Sequence, residues 1–278
     1  MNTKIALALL VAALLAGAYF FSDVFSSKVD LAVKQFAEWT PENIAKARAF
    51  LKGADSEGWT DVNAALRGLL MRDVTGERAY DIILVSDGQP TRGVLDTREL
   101  INLITRDNDL VSSIYCVGIG RSQNRELLDF LAYRNKGFSV FADRSDDAPV
   151  VIRDLLSRLR YPLINDLRVN VVGIDTQETY PLDLPNIHQG EQFQIFGRFK
   201  QAKPFTMHVT GRSAGRPVDF TFTLDLRKAI EGDRAVAEGW AFWKLHHLYS
   251  EMIRRGEEPA LLAQIRELRK KYKLKTLY

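Results

Sequence analysis

Cysteine is almost absent: Cys116 stands alone among 278 residues. That excludes an internal disulfide, a Cys-x-x-Cys pair and a thiolate metal cage, and it leaves the compartment to be read from other features. Histidine is nearly as scarce, with four in the chain. His246 and His247 are neighbours on a helical pattern, so they point about 100° apart and do not share a metal as an i, i+4 pair would. His208 falls on the polar side of the Phe205-Met207-Val209 alternation and reads as solvated. There is no low-complexity stretch and no internal repeat, and the only long apolar run is Ile5 to Phe21. A disordered chain, a collagen and a multi-span membrane protein are therefore excluded. A surplus of basic charge is missing too. The formal charge is +3, but Arg266 to Tyr278 holds six basic groups against Glu267, which leaves −2 for the remainder. The basicity belongs to a tail, and no nucleic-acid-binding face is expected.

The apolar run has 17 residues behind Lys4 and contains Ala16-Gly17-Ala18, a small-x-small pattern. It reads as an export segment, either a cleaved signal or an uncleaved anchor, because it sits at the short limit for crossing a hydrocarbon core of about 30 Å. A buried Ala/Leu helix or a displaced start codon is the competing account. A lipid-bearing cysteine is excluded, since Ala18 stands where it would be. The expected location is the cell envelope, periplasmic, secreted or membrane-anchored through residues 5–21.

From Thr40 to Arg160 helical and strand signals alternate, the pattern of a mostly parallel sheet flanked by helices. Thr40-Pro41 starts one helix and Asp61 caps a second through Leu70. Ile82-Ile83-Leu84-Val85 and Ile114-Tyr115-Cys116-Val117 are short apolar runs stopped by Ser86-Asp87-Gly88 and Gly118-Ile119-Gly120, as strands buried on both faces should be. Helices are predicted over about Thr97 to Thr105, Arg125 to Tyr133 and Ala148 to Leu159, with a strand at Phe138 to Phe141. After Tyr161-Pro162 the period changes. Val218 to Leu226 alternates apolar and polar, predicting a half-buried antiparallel strand. Leu167 to Val172, Phe193 to Phe199 and Phe205 to Val209 are its expected partners, and Gly211 to Pro217 an expected turn. Helices over Ala235 to Arg254 and Pro259 to Tyr272 close the chain. The expected division is 1–21 export segment, 22–161 α/β domain, 162–230 β-rich module and 231–278 helical segment.

Asp87, at the carboxyl end of a buried strand, is where open parallel sheets place ligand sites. Thr60-Asp61 puts a hydroxyl and a carboxylate at another loop-to-helix junction. No nucleophile elbow, dinucleotide fingerprint or phosphate-binding lysine loop occurs, so no catalysis is expected. The series Thr40-Pro41-Glu42-Asn43-Ile44-Ala45-Lys46-Ala47-Arg48, Gly58-Trp59-Thr60-Asp61, Ile83 to Gly88 and Tyr115 to Gly120 resembles the von Willebrand factor type A domain. The kind is that of inter-alpha-trypsin inhibitor heavy chains. The likeness continues through Leu127 to Ala132, Tyr180-Pro181, Leu184-Pro185, Gly197-Arg198-Phe199 and Trp240 to Lys244, from near Phe21 to the C-terminus.

That resemblance implies a protein-binding or scaffolding role at a rim that holds a divalent cation, usually Mg²⁺, among loop oxygens. Thr60 matches the family's second ligand loop and Asp87 the third, with Asp61 beside them as a further partner-contacting residue. The first loop, Asp-x-Ser-x-Ser, occurs nowhere in the sequence, and the first strand that would carry it is missing. Asp23-Val24-Phe25-Ser26-Ser27 is the nearest imitation. The site is thus expected to be a remnant, and no cofactor is expected unless other residues replace the missing ligands. The partner is expected to be a protein. The other reading is a truncated remnant with a structural envelope role, and a hydrolase ranks a distant third.

Overall fold

The computed structural model describes residues 40–52, 59–70, 80–174 and 176–274. The apolar run and Asp23, Ser26 and Ser27 lie outside them. The chain divides between Arg160 and Tyr161 into two compact units.

In the first unit, α1 (Pro41–Lys52) begins where the Thr40 hydroxyl accepts from the Asn43 amide at 3.2 Å. α2 (Val62–Leu70) buries Val62, Ala65, Leu66, Leu69 and Leu70, the stripe that a 3.6-residue period places on one side. Three strands follow: β1 (Tyr80–Ser86), β2 (Ser112–Ile119) and β3 (Ser139–Ala142). They pair in chain order, all parallel, with Ile82 opposite Ile114 and Cys116 opposite Ser139. Parallel neighbours need crossovers. α3 (Thr97–Asn108) joins β1 to β2 and α4 (Arg125–Tyr133) joins β2 to β3.

β2 is central, and Ser112 to Gly118 are all buried. Ile83, Tyr115 and Val117 pack with Leu155 and Leu159 of α5 (Ala148–Leu159). The alternate residues turn to the other face, where Cys116 lies near Asp129 of α4. Each fully buried leucine or isoleucine contributes at most about 1.5–3 kcal/mol. At the opposite end of β2 from its glycines, Asn108 donates to the Ser112 carbonyl and to Asn135 Oδ1, both at 2.8 Å, and accepts from the Ser112 amide at 3.0 Å. Asn135 donates in turn to Thr105 and to the Leu131 carbonyl. These buried amides are satisfied within the fold, which is how a polar group becomes affordable in a core.

The second unit is antiparallel. β4 (Pro162–Val172), β6 (Ile187–His188), β8 (Pro204–Ser213) and β9 (Arg216–Asp225) form a sheet in the order β6-β4-β8-β9. β5 (Thr176–Tyr180) pairs with β7 (Phe196–Phe199). α6 (Arg234–Arg255) and α7 (Pro259–Tyr272) pack together around Trp240, Ala241, Leu245, Leu248, Ile265 and Leu268. Trp240 Nε1 donates to the Glu178 carbonyl at 2.9 Å, and Lys244 pairs with the Glu178 carboxylate. This fixes α6 onto β5.

Three expectations are corrected here. β9 is not half-buried: Phe220, Phe222 and Leu224 keep 46%, 46% and 42% of their surface, because the strand is at the sheet edge and that side is left open among the described residues. The turn expected over Gly211 to Pro217 shrinks to Ala214-Gly215, both at positive φ, the two-residue geometry that suits a twisted hairpin. The stretch expected from Phe193 as a partner of β9 begins only at Phe196 and pairs instead with β5, in a two-stranded sheet of its own.

Candidate functional site

The carboxyl ends of β1, β2 and β3 form a rim. β1 stops at Ser86, whose hydroxyl accepts from the Gly88 amide at 3.0 Å. Asp87 Oδ1 accepts from the Gln89 amide at 3.0 Å, a side-chain-closed turn that leaves the residue exposed. The turn needs glycine at 88. Its φ is +71°, and a Cβ would come within 2.8 Å of the Asn124 carbonyl oxygen. The Asp87 carbonyl accepts from the Asn124 amide at 2.7 Å, tying the loop after β2 to the loop after β1. Gln123 and Arg125 both donate to Asp143, at 3.0 and 2.6 Å, which brings the loop after β3 into the same rim.

Thr60 and Asp61 enter from the start of α2. The Thr60 amide donates to the Thr91 hydroxyl at 2.7 Å, and the Thr60 carbonyl accepts from the Thr91 and Arg92 amides at 2.9 and 3.1 Å. The α2 junction is thereby stapled to the loop that begins at Asp87. Asp61 caps α2 through the Ala64 amide at 2.9 Å, and its carboxylate lies against Gly93, where a Cβ would be 2.5–2.7 Å away. Gly93 has φ +73°. Trp59 and Leu95 flank the stapled segments, 48% and 57% exposed. The roles of Thr91, Gly93 and Asn124 escaped the sequence reading, because a threonine, a glycine and an asparagine in loops carry no signal of which distant loop they will meet.

Among the described residues the donor set falls short of what a Mg²⁺ ion needs. Thr60 and Asp87 supply one hydroxyl and one carboxylate, one oxygen of which already serves Gln89, whereas Mg²⁺ demands near-octahedral oxygen geometry and dehydrates reluctantly. Among the described residues no group of three or more His, Cys, Asp or Glu is placed to hold a metal. Nor is there an activated nucleophile at Cys116. Burial first, and the charge of Asp129 second, push its thiol far above the ordinary range. Burial likewise raises the carboxyl of Glu126, in the first turn of α4. No described helix is long and apolar enough to cross a membrane.

The von Willebrand factor type A domain family matches residues 2–141. The match therefore begins ahead of Phe21 and takes in the apolar run. Inter-alpha-trypsin inhibitor heavy chain H3 of Pongo abelii is 24% identical over 74% of this chain and 24% of its own length. Heavy chain H6 of Homo sapiens is 25% identical over 76% of this chain and 17% of its own. The chain thus spans about a quarter or less of these relatives. A solved von Willebrand factor type A protein from Catenulispora acidiphila superposes with a TM-score of 0.56 over 85% of this chain and 65% of its own, at 13% identity, and that likeness concerns the fold. With the family's match spanning residues 2–141 and the parallel sheet carrying its loops on one rim, the chain belongs to the von Willebrand factor type A domain family, in its inter-alpha-trypsin inhibitor heavy chain-like branch.

Proposed function

We propose that the chain is a non-catalytic protein-binding or scaffolding module whose partner meets the rim around Thr60, Asp61 and Asp87 without a resident divalent cation. The observation that carries the reading is the stapled rim: an exposed Asp87 carboxylate in a closed turn, with Thr60 held to the adjoining loop by three hydrogen bonds. Trp59 and Leu95, which flank the stapled segments along the chain, add exposed apolar surface. An exposed tryptophan is the kind of side chain that carries binding energy once buried by a partner.

Calorimetric titration of the purified chain with MgCl2 or MnCl2 tests the cation-free part. No saturable binding is expected below millimolar concentration, and Asp87→Ala should fold with a melting temperature within about 5 °C of the parent. A one-to-one micromolar isotherm abolished by Thr60→Ala or Asp87→Ala would overturn it and point to Asp23, Ser26 and Ser27 as the missing ligands. For the binding role, proteins retained in EDTA by the parent but released by Trp59→Ala or Asp87→Ala are expected. Retention indifferent to both substitutions would count against the rim.

Export to the cell envelope completes the proposal and rests on Lys4, the apolar run and Ala16-Gly17-Ala18. Natively expressed protein should partition with the membrane or periplasmic fraction. Intact chain confined to the cytosol would refute it.

A further inference from the structure

The outer edge of β9, which pairs with no other strand among the described residues, has the makings of a self-pairing strand. β9 pairs with β8 over ten positions without a register shift, so no bulge twists its outer edge away, and it is an end strand of the sheet. Natural edges are usually guarded by lysine, proline or a bulge. β9 has no lysine, and its one proline, Pro217, stands at the second position; from Val218 to Asp225 the sequence runs Val-Asp-Phe-Thr-Phe-Thr-Leu-Asp. Val218, Phe220, Phe222 and Leu224 share one face, and the three larger side chains there are exposed. Asp219, Thr221 and Thr223 share the other, where Thr221 Oγ1 is 3.2 Å from His208 Nδ1.

We infer that this edge binds a second copy of the chain, β9 against β9 and antiparallel, about a two-fold axis at Thr221. The register follows from matching faces and charges. Because strand side chains alternate, only registers centred on a residue set apolar against apolar. Centring on Phe222 would oppose Asp219 to Asp225 of the other copy, two like charges. Centring on Phe220 would leave Leu224 facing Arg216. Centring on Thr221 pairs Phe220 with Phe222, Val218 with Leu224, Asp219 with Thr223 and Thr221 with itself. Val218, Phe220, Phe222 and Leu224 each then meet an apolar residue, Pro217 near the strand start lies opposite Asp225, and no like charges are opposed. Such a contact is isologous: each pair occurs twice, which is what a closed dimer requires. Main-chain donors and acceptors at the edge gain partners, and the aromatic cross-strand pairs add to them. Four strands from each copy become one continuous sheet with a single apolar face.

The test uses the full chain. Light scattering and sedimentation at tens of micromolar should give twice the chain mass, and Phe220→Lys with Phe222→Lys should return it to a monomer. Both residues are exposed, so the circular dichroism spectrum of that double variant should match the parent's and exclude misfolding as the cause. Because Cys116 is fully buried, an introduced thiol is the reactive one. Oxidation should cross-link Thr221→Cys into a covalent dimer and leave Thr223→Cys unlinked, since two Thr223 positions would be about 13 Å apart in this register. A parent that stays monomeric at several hundred micromolar overturns the inference. So does a dimer indifferent to the paired lysines, or cross-linking through Thr223→Cys in preference to Thr221→Cys.

Discussion

Gly137, beside β2, shows how little room a single position can leave. A Cβ there would collide with the Ile114 carbonyl oxygen, which is backbone and has no rotamer to change. The same stretch is held by the Gly137 amide donating to the Ala132 carbonyl and the Ile114 amide to the Asn135 carbonyl, both at 3.0 Å. Gly137→Ala must push β2 away from the turn after α4, against the buried Asn108 and Asn135 amides. We expect a loss of about 2–3 kcal/mol, the range of overpacking in a closed core, read from chemical denaturation. A variant within 0.5 kcal/mol of the parent would show that the turn yields. The sequence reading did not single out Gly137, because the obstacle comes from Ile114, more than twenty residues away.

At the scale of the element, α6 couples packing to protonation. The ring of His247 lies 5.3 Å from that of Tyr180, and burial holds its imidazolium below the ordinary histidine range. Glu251 and Asp183 oppose that shift, while Arg254 and Arg255 reinforce it. A base whose folded pKa is depressed binds fewer protons folded than unfolded. Its contribution is present above about pH 6.5 and is lost as pH falls through the folded value. The melting temperature should therefore fall between pH 7 and pH 5, by less than one full proton's worth because the ring is only half-buried. His247→Gln should flatten that slope. Comparing parent and variant cancels the opposite trend of Glu126, whose raised carboxyl gains stability as acid is added. Glu251, held low chiefly by its hydrogen bond from Arg254, acts in a separate window below pH 4.5. A slope unchanged in His247→Gln would remove His247 as its source.

Much of this scale was legible beforehand. α4, α5 and α7 run over the residues their periodicity predicts, and the Thr40 and Asp61 caps are made as their chemistry suggests. β5 and β6 were not foreseen. Thr176 to Tyr180 has one large apolar side chain in five residues, and β6 is two residues long, too short for any period. The exposure of β9 was equally hidden, because alternation records which face is apolar and not whether anything covers it. At the candidate site Thr60 and Asp87 could be singled out from the sequence, whereas the bonds stapling them could not.

For the whole molecule, the apolar run carries the sharpest ambiguity. A strand buried on both faces and an export segment are both short, uncharged and aliphatic, so hydropathy alone cannot separate them, and the family match beginning at residue 2 covers that same stretch. In the second unit, residues 227–237 are all exposed, Ile230 at 96%, between the end of β9 and the body of α6. Exposed connections of this kind are where proteases act first. Within this unit trypsin should cut at Lys228 ahead of other sites, since Arg227 is engaged by both carboxylate oxygens of Asp225 and Arg234 by Glu238 at 2.6 Å. The nick should not free the helices, because Trp240 and Lys244 remain anchored on Glu178. A denaturing gel should show two pieces where gel filtration finds one particle, a split protein whose halves stay together through a single glutamate and the aromatic rings around it.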